Sequence, residues 1–292
     1  MSAMWQGAFR CDLDVWFDSR AYCDLSHSPT AICPGDSAMG EGQSEYCAEV
    51  VNAIERIRRF AQQLYANAEA ALLAGSRSRG PARANSDYDV VLFFPSLPTG
   101  AWREVVAFEG QVLEVFCHDL NTFSYFCREI DRPSGKPVLP ALVTEGISVL
   151  PPTPTLERAR VIAKAVIDAG PLPLTNPEID RRRHVISDLA LALDATTSGH
   201  ERLATCASLY IELADFALRA NGQWSATGKA LPRALATMSD GLALQFERSF
   251  KALFAGLEIR QVNDLIDDVL QDFGGRLREG YRQRAPIDWR DA

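Results

Sequence analysis

The length, composition and charge of this chain describe a globular protein and exclude several other classes. Its 292 residues suffice for one large domain or two ordinary ones, and 47% of them are hydrophobic and 23% charged. The formal net charge of −8 leaves no overall basic field to attract nucleic acid, and no run of about 18 or more apolar residues predicts a membrane span.

The cysteines and the first residues indicate where the protein works. The seven cysteines are odd in number and scattered, with no Cys-x-x-Cys pair, so the sequence predicts no structural zinc site. Several lie in helix-like or strand-like patterns, where a free cysteine behaves as a small hydrophobic residue, as in a reducing cytoplasm. Residues 1–10 lack the charged and apolar segments of a signal peptide, so we expect a cytoplasmic protein.

Regular structure is predicted to begin near Ser44. Residues 1–43 are interpreted as a poorly structured extension, because residues 27–42 are rich in Ser, Pro, Gly and Ala without periodicity. A helix follows, with one apolar stripe at spacings of three and four residues: Val50, Ile54, Ile57, Ala61 and Leu64. The helix also carries three arginines that we interpret as a solvated face rather than a polyanion-binding patch: Arg56, Arg58 and Arg59.

Two short apolar segments after this helix are predicted strands. The first, Ala70–Ala74, ends at Gly75 and Ser76, and the second, residues 90–94, is rich in β-branched and aromatic residues. Asp87 and Asp89 open the second strand two residues apart, so both point to the same face of the sheet. Two neighbouring carboxylates repel each other unless a positive group neutralises them, and Mg²⁺ prefers oxygen ligands.

The turn after the first strand suits a phosphate. Gly75 lets backbone N–H groups approach a phosphate without obstruction, and Ser76 adds a hydroxyl. Either motif alone is common in loops, but the two motifs together favour a phosphate site beside a metal site.

The spacing of these motifs resembles a known family. Gly75-Ser76, ten residues, then Asp87-x-Asp89 with an apolar tail is similar to the signature of the polymerase-β-like nucleotidyltransferase superfamily. More narrowly, it resembles the minimal and aminoglycoside-type nucleotidyltransferases of bacteria. The resemblance implies transfer of a nucleoside monophosphate from a nucleoside triphosphate, with ATP expected, to a hydroxyl of a small molecule or protein, with release of pyrophosphate.

The resemblance also implies roles for individual residues. Two Mg²⁺ ions would be held by Asp87 and Asp89 as catalytic and metal-binding residues. Nucleotide contacts would come from Gly75, Ser76, Arg77 and Ser86, with Ser86 orienting the Asp87 side chain.

A third carboxylate lies in the next pair of predicted strands, residues 105–109 and 112–117, which a hairpin turn at Gly110-Gln111 joins. Glu114 interrupts an apolar run, so we expect it to be paired, bound to a cation, or on an exposed edge. The resemblance favours the cation and implies that Glu114 is the third catalytic and metal-binding carboxylate. His118, at the end of the strand, is interpreted as incidental.

The rest of the chain predicts a second, helical domain. A helix over residues 120–130 with Asn121 as its cap precedes the Pro-rich linker 151–154. Apolar stripes then mark four helices, which begin near Thr155, after Pro177, before Leu203 and before Val262. We therefore predict an α+β fold, with a small mixed β-sheet nucleotidyltransferase domain over residues 44–150 and an α-helical bundle over residues 151–292.

Lys229 has two interpretations of equal weight. The segment around Gly228-Lys229 resembles one in the helical domain of aminoglycoside-type nucleotidyltransferases, where a lysine reaches the triphosphate. Alternatively, Lys229 is a solvent-exposed residue at the start of a helix.

Several functional questions stay open at this point. The acceptor is not identified, and the general base could be any of three acidic residues on the predicted helices: Asp188, Glu212 and Asp215. A non-catalytic nucleotide-binding or toxin-neutralising protein is the alternative to an enzyme. We expect neither nucleic acid nor a membrane as a partner.

Overall fold

The computed structural model describes residues 41–79, 87–196, 198–256 and 259–284. Ser86 and the predicted extension up to residue 40 therefore lie outside the described residues, whereas residues 41–43 already belong to the first helix. The described chain divides into two compact units, and the division in the sequence falls between Leu172 and Pro173.

The first unit is built on a mixed sheet of five strands, in the order β3-β4-β2-β1-β5. The strands are β1 (Ala70–Ala74), β2 (Tyr88–Phe93), β3 (Trp102–Phe108), β4 (Gln111–His118) and β5 (Ile147–Ser148). β2 and β4 are parallel, and the other neighbouring pairs are antiparallel. This sheet, with helices around it, confirms the predicted α+β fold.

Helices cover both faces of the sheet. They are α1 (Glu41–Leu64), α2 (Ser76–Arg79), α3 (Leu120–Tyr125), α4 (Arg132–Ser134), α5 (Val138–Glu145) and α6 (Pro154–Ala169), with a π-helical segment (Phe126–Asp131) between α3 and α4. α1 packs on one face, and α3 and α5 pack on the other, where Phe93 and Phe123 meet edge to face.

The residues that α1 buries against the sheet agree in part with the predicted apolar stripe. Ile57 and Ala61 are buried against alternate residues of the strands, as expected. Leu64 is 54% exposed, and Phe60, outside the predicted stripe, is fully buried. The buried stripe therefore ends one turn earlier than predicted.

The three arginines of α1 have hydrogen-bond partners that their interpretation as a solvated face did not include. Arg59 donates twice to the Glu109 carboxylate, at 2.8 and 2.7 Å, and Arg56 donates to the Tyr88 hydroxyl at 2.6 Å. Arg58 donates to the Val149 carbonyl at 2.8 Å. Arg59 and Arg58 keep 46% and 39% of their side chains exposed, as a solvated face implies. The interpretation did not include their partners, through which the three side chains reach back and tie α1 to the sheet.

Two local predictions were displaced by one or two residues. The β3–β4 hairpin turns at Glu109-Gly110, with φ values of 47° and 73°, not at Gly110-Gln111. The cap of α3 is Asp119, which accepts from the Thr122 N–H in a capping box, not Asn121. Glu109 gives no sequence signal for a positive φ, which explains the displaced turn.

The second unit is helical in the described residues. It contains α7 (Asn176–Ala195), α8 (Gly199–Ala220), a 3₁₀ turn (Gly228–Ala230), α9 (Leu231–Met238), α10 (Asp240–Phe254) and α11 (Arg260–Gln271). α7 packs on α8, and α10 packs on α8, α9 and α11. The α10 helix was not predicted, although Ser239 caps it and Phe246, Phe250 and Leu253 form its buried stripe.

The contacts of α6 bear on the predicted domain boundary. α6 follows the Pro-rich linker but packs on α3 and α5 within the first unit, so the contacts divide the chain later than residue 150. The predicted domain boundary stays a prediction.

In the part of the chain that the structure describes, no helix is long and apolar enough to cross a membrane.

We predict that His118 makes stability depend on pH. Its ring is 1% exposed between Phe123 and Phe126, and burial lowers its pKa from 6.5 to about 4. Between pH 6.5 and pH 4, the unfolded chain binds a proton at His118 more readily than the folded chain does. The free energy of unfolding therefore falls as the pH is lowered from 6.5 to 4. His118→Leu should reduce this fall by up to about 3 kcal/mol.

Urea unfolding at pH 6.5 and at pH 4 measures the effect. The exposed His200, changed to Gln, is the control. The same pH dependence in wild type and His118→Leu would contradict the assignment.

Candidate active site

The predicted site residues of the first unit meet at one end of the sheet. Asp89 of β2 lies opposite Ala74 of β1 on one side and opposite Glu114 of β4 on the other. Residues paired in register point to the same face of the sheet, so Asp89 and Glu114 point to the same face as Ala74, the last residue of β1. The strand register therefore brings the Gly75 turn, Asp89 and Glu114 together.

Gly75 and Asp89 pack closely against each other in this site. Gly75 has φ +69°, and a Cβ added to it would lie 1.7 Å from Oδ2 and 2.6 Å from Cγ of Asp89. The Asp89 carboxylate therefore occupies the space that any other residue at position 75 would fill. Asp89 itself is 9% exposed.

Of the remaining residues of the two motifs, Ser76 and Asp87 are close to this contact in the chain, whereas the Arg77 guanidinium lies on the α1 side of the sheet, over Tyr88. Ser76 begins α2, and Ser78 donates to the Gly75 carbonyl at 2.9 Å, which fixes the turn. Asp87 directly precedes β2 and is partly buried. The Arg77 guanidinium lies over the Tyr88 ring, 4.0 Å from its centroid.

Glu114 has a partner that the sequence analysis missed. Arg103 of β3 forms an ion pair with the Glu114 carboxylate, and its guanidinium also lies 5.3 Å from the Phe116 ring centroid. The two side chains are only 19% and 12% exposed. Of the three expectations for Glu114, the structure shows the paired state. The signal was in the hairpin, because pairing Val105 with Glu114 places Arg103 two residues away on the same face.

The carboxylates fit a divalent cation in part. Among the described residues, no group of three or more His, Cys, Asp or Glu side chains is placed to hold a metal ion. Mg²⁺, however, is commonly bound by one or two carboxylates together with substrate phosphates and water. Asp87 and Asp89 are two carboxylates of this kind, two residues apart at the start of β2, and Glu114 is paired with Arg103.

The predicted residues of the helical half all lie in the second unit. Lys229 is exposed in the 3₁₀ turn before α9. Of the candidate bases, Asp188 is exposed and 3.7 Å from Arg278, and Asp215 is buried and paired with Arg182. Glu212 is partly buried on α8. Their roles remain predictions.

Comparisons with known proteins find a likeness among solved structures and none among sequences. No family model matches the chain, and no curated protein matches it. Among solved structures, the fold is similar to a nucleotidyltransferase-like protein from Exiguobacterium sibiricum 255-15, with 9% sequence identity and a TM-score of 0.35. The match covers 75% of this chain and 80% of that one.

We predict that Gly75→Ala destabilises the protein more than a matched glycine change. Both Gly75 and Gly110 have positive φ values, 69° and 73°, but an added Cβ at Gly110 meets nothing within 4 Å. Gly110→Ala should therefore cost only the backbone strain of about 1–2 kcal/mol. Gly75→Ala should cost the same strain and an additional amount, because the Asp89 carboxylate must move.

The measurement is the free energy of unfolding of both variants in urea. Equal losses in the two variants would mean that the contact between Gly75 and Asp89 is absent in solution.

We also predict energetic coupling between Arg103 and Glu114. Arg103→Met leaves a largely buried carboxylate without its cation and should destabilise the protein by about 2–4 kcal/mol, below the full buried-pair value because both side chains retain some exposure. Arg103→Met combined with Glu114→Gln should cost less than the sum of the two single changes. Additive effects in this cycle would show that the pair contributes nothing.

Proposed function

We propose that this protein is a Mg²⁺-dependent nucleotidyltransferase. It transfers a nucleoside monophosphate from a nucleoside triphosphate, ATP in our expectation, to a hydroxyl of a small molecule or a protein, and pyrophosphate leaves. The observation that carries this proposal is the contact between the Gly75 turn and the Asp89 carboxylate. This contact places the Gly-Ser turn, which suits phosphates, against a carboxylate, which suits the cation that accompanies them.

The residues of the site have distinct roles in this proposal. Asp87 and Asp89 hold Mg²⁺, which when bound neutralises triphosphate charge and activates the attacking hydroxyl. Gly75 admits the phosphates to the backbone of the turn, and the Ser76 hydroxyl adds a contact. A contact from Arg77 would require its guanidinium to leave the Tyr88 ring on the α1 side of the sheet. The resemblance implies that Ser86 orients Asp87 and that Lys229 contributes a positive charge to the triphosphate. Both roles stay predictions, because Ser86 lies outside the described residues and Lys229 belongs to the second unit.

Glu114 has a conditional role in the same proposal. A second Mg²⁺ ion, which the family resemblance implies, would require Glu114 to leave Arg103 and turn its carboxylate to the metal. Without that change, Glu114 and Arg103 act as a neutral pair beside Asp89.

This pair also favours a second candidate function. A protein that binds a nucleotide but does not catalyse its reaction needs no third metal-binding carboxylate. The third carboxylate here, Glu114, is held in an ion pair with Arg103. The toxin-neutralising form of this alternative has no separate support in the site. The two candidates differ in turnover, not in nucleotide binding.

Asp89→Asn should weaken nucleotide binding in the presence of Mg²⁺. Wild type should bind ATP more tightly with Mg²⁺ than with EDTA, and the variant should lose at least about tenfold in affinity, because a charged metal ligand is removed. Asp168→Asn is the matched control, since Asp168 is exposed in the same unit and, among the residues that the structure describes, is paired with Lys164 on its own helix.

Calorimetric titration of the four ribonucleoside triphosphates gives the affinities, and pyrophosphate release with a panel of hydroxyl compounds gives the turnover. Mg²⁺-dependent binding without pyrophosphate release would select the non-catalytic candidate. Failure of wild type to bind any nucleotide, or equal binding by Asp89→Asn, would overturn both.

A further inference from the structure

The second unit contains an open cavity that has no part in the proposed reaction. It has a volume of about 800 Å³ and lies between the first turns of α7 and the C-terminal segment 277–284. This volume is within the range of small-molecule sites, roughly 300–1,000 Å³. The lining is rich in arginine, in a chain whose net charge is −8.

The wall opposite α7 is irregular in backbone but firmly attached. Arg183 donates to the carbonyls of Gly275 and Gly274, at 2.8 and 2.6 Å, where the chain leaves α11. Leu277 N–H donates to Ser187 Oγ at 3.0 Å. The Tyr281 ring stacks on His184, with centroids 4.1 Å apart. Because α7 holds this segment at several points, the cavity has a fixed wall on each side.

The charges of the lining are not balanced. Four arginines and two carboxylates line the cavity. Asp180 is paired with Arg183 at 2.8 Å, and Glu178 accepts from the N–H and hydroxyl of Thr175 at the start of α7. These hydrogen bonds lower the pKa of Glu178, so it stays ionised in its capping role.

Three guanidinium groups remain. Arg181, Arg282 and Arg284 line the cavity and are exposed, and they make no hydrogen bond or ion pair with any other residue that the structure describes. Guanidinium groups bind phosphate oxygens in a bidentate manner, and several of them around one cavity suit a ligand with more than one phosphate.

We propose that this cavity binds a small anion with several phosphate groups, through Arg181, Arg282 and Arg284. A nucleic acid fits less well, because the acidic chain as a whole repels an extended polyanion, whereas a compact ligand meets only the local positive charge. The inference does not depend on the proposed nucleotidyl transfer.

The test is calorimetric titration of the full chain with inorganic tripolyphosphate in EDTA, where a Mg²⁺-dependent nucleotide site does not contribute. Wild type should bind, and Arg181→Gln combined with Arg282→Gln should weaken binding by about tenfold or more, because two charge-assisted contacts are lost. The control is Arg233→Gln combined with Arg248→Gln, which changes the net charge equally at exposed arginines outside the cavity lining. This control should bind as wild type does, and Asp89→Asn is measured beside it to detect binding at the nucleotide site.

Other outcomes would overturn the inference. They are absence of binding, equal weakening by the two arginine pairs, and loss of binding in Asp89→Asn alone. A single-stranded oligonucleotide that binds far more tightly than tripolyphosphate through the same arginines would replace the small ligand with a nucleic acid.

Discussion

The candidate site depends on the absence of a side chain at position 75. Asp89 is almost fully buried, and its carboxylate lies where a Cβ of residue 75 would be. Since β1 ends at Ala74, directly opposite Asp89, the chain has to turn at this point with a positive φ. The same glycine thus ends the strand, makes the turn and leaves room for the carboxylate.

The opposite face of the sheet keeps these strands in place. Tyr88, one residue before Asp89, points to the α1 side, where Arg56 donates to its hydroxyl and Arg77 lies over its ring. Arg56 is also 3.4 Å from Glu109, at the tip of the β3–β4 hairpin. The beginning of β2 is therefore attached to both α1 and α2, so a carboxylate at position 89 projects from a strand that is supported from behind.

The sequence predicted the strands well because their signals are local. β1 and β2 are short apolar segments next to glycine and aspartate, and the α+β arrangement follows from them and from the helical stripes. The ion pair of Arg103 and Glu114 was missed because it depends on hairpin register. A turn at Gly110-Gln111 would place Glu114 opposite Ala107, whereas the observed turn places it opposite Val105, beside Arg103. The cavity of the second unit was missed because segment 277–284 has no periodic pattern, and tertiary contacts hold it, such as the hydrogen bond of Leu277 to Ser187 and the stacking of Tyr281 on His184.

The ion pair also bears on how much positive charge the site can accept. If Glu114 is one of the metal-binding carboxylates, as the resemblance implies, Arg103 competes with the metal for it, because a guanidinium keeps its proton and its charge. In the proposed reaction, a second cation would therefore require Arg103 to withdraw from Glu114, or the triphosphate to bring compensating charge. A site that keeps the ion pair would bind one cation through Asp87 and Asp89, so the number of Mg²⁺ ions bound would report the state of the ion pair.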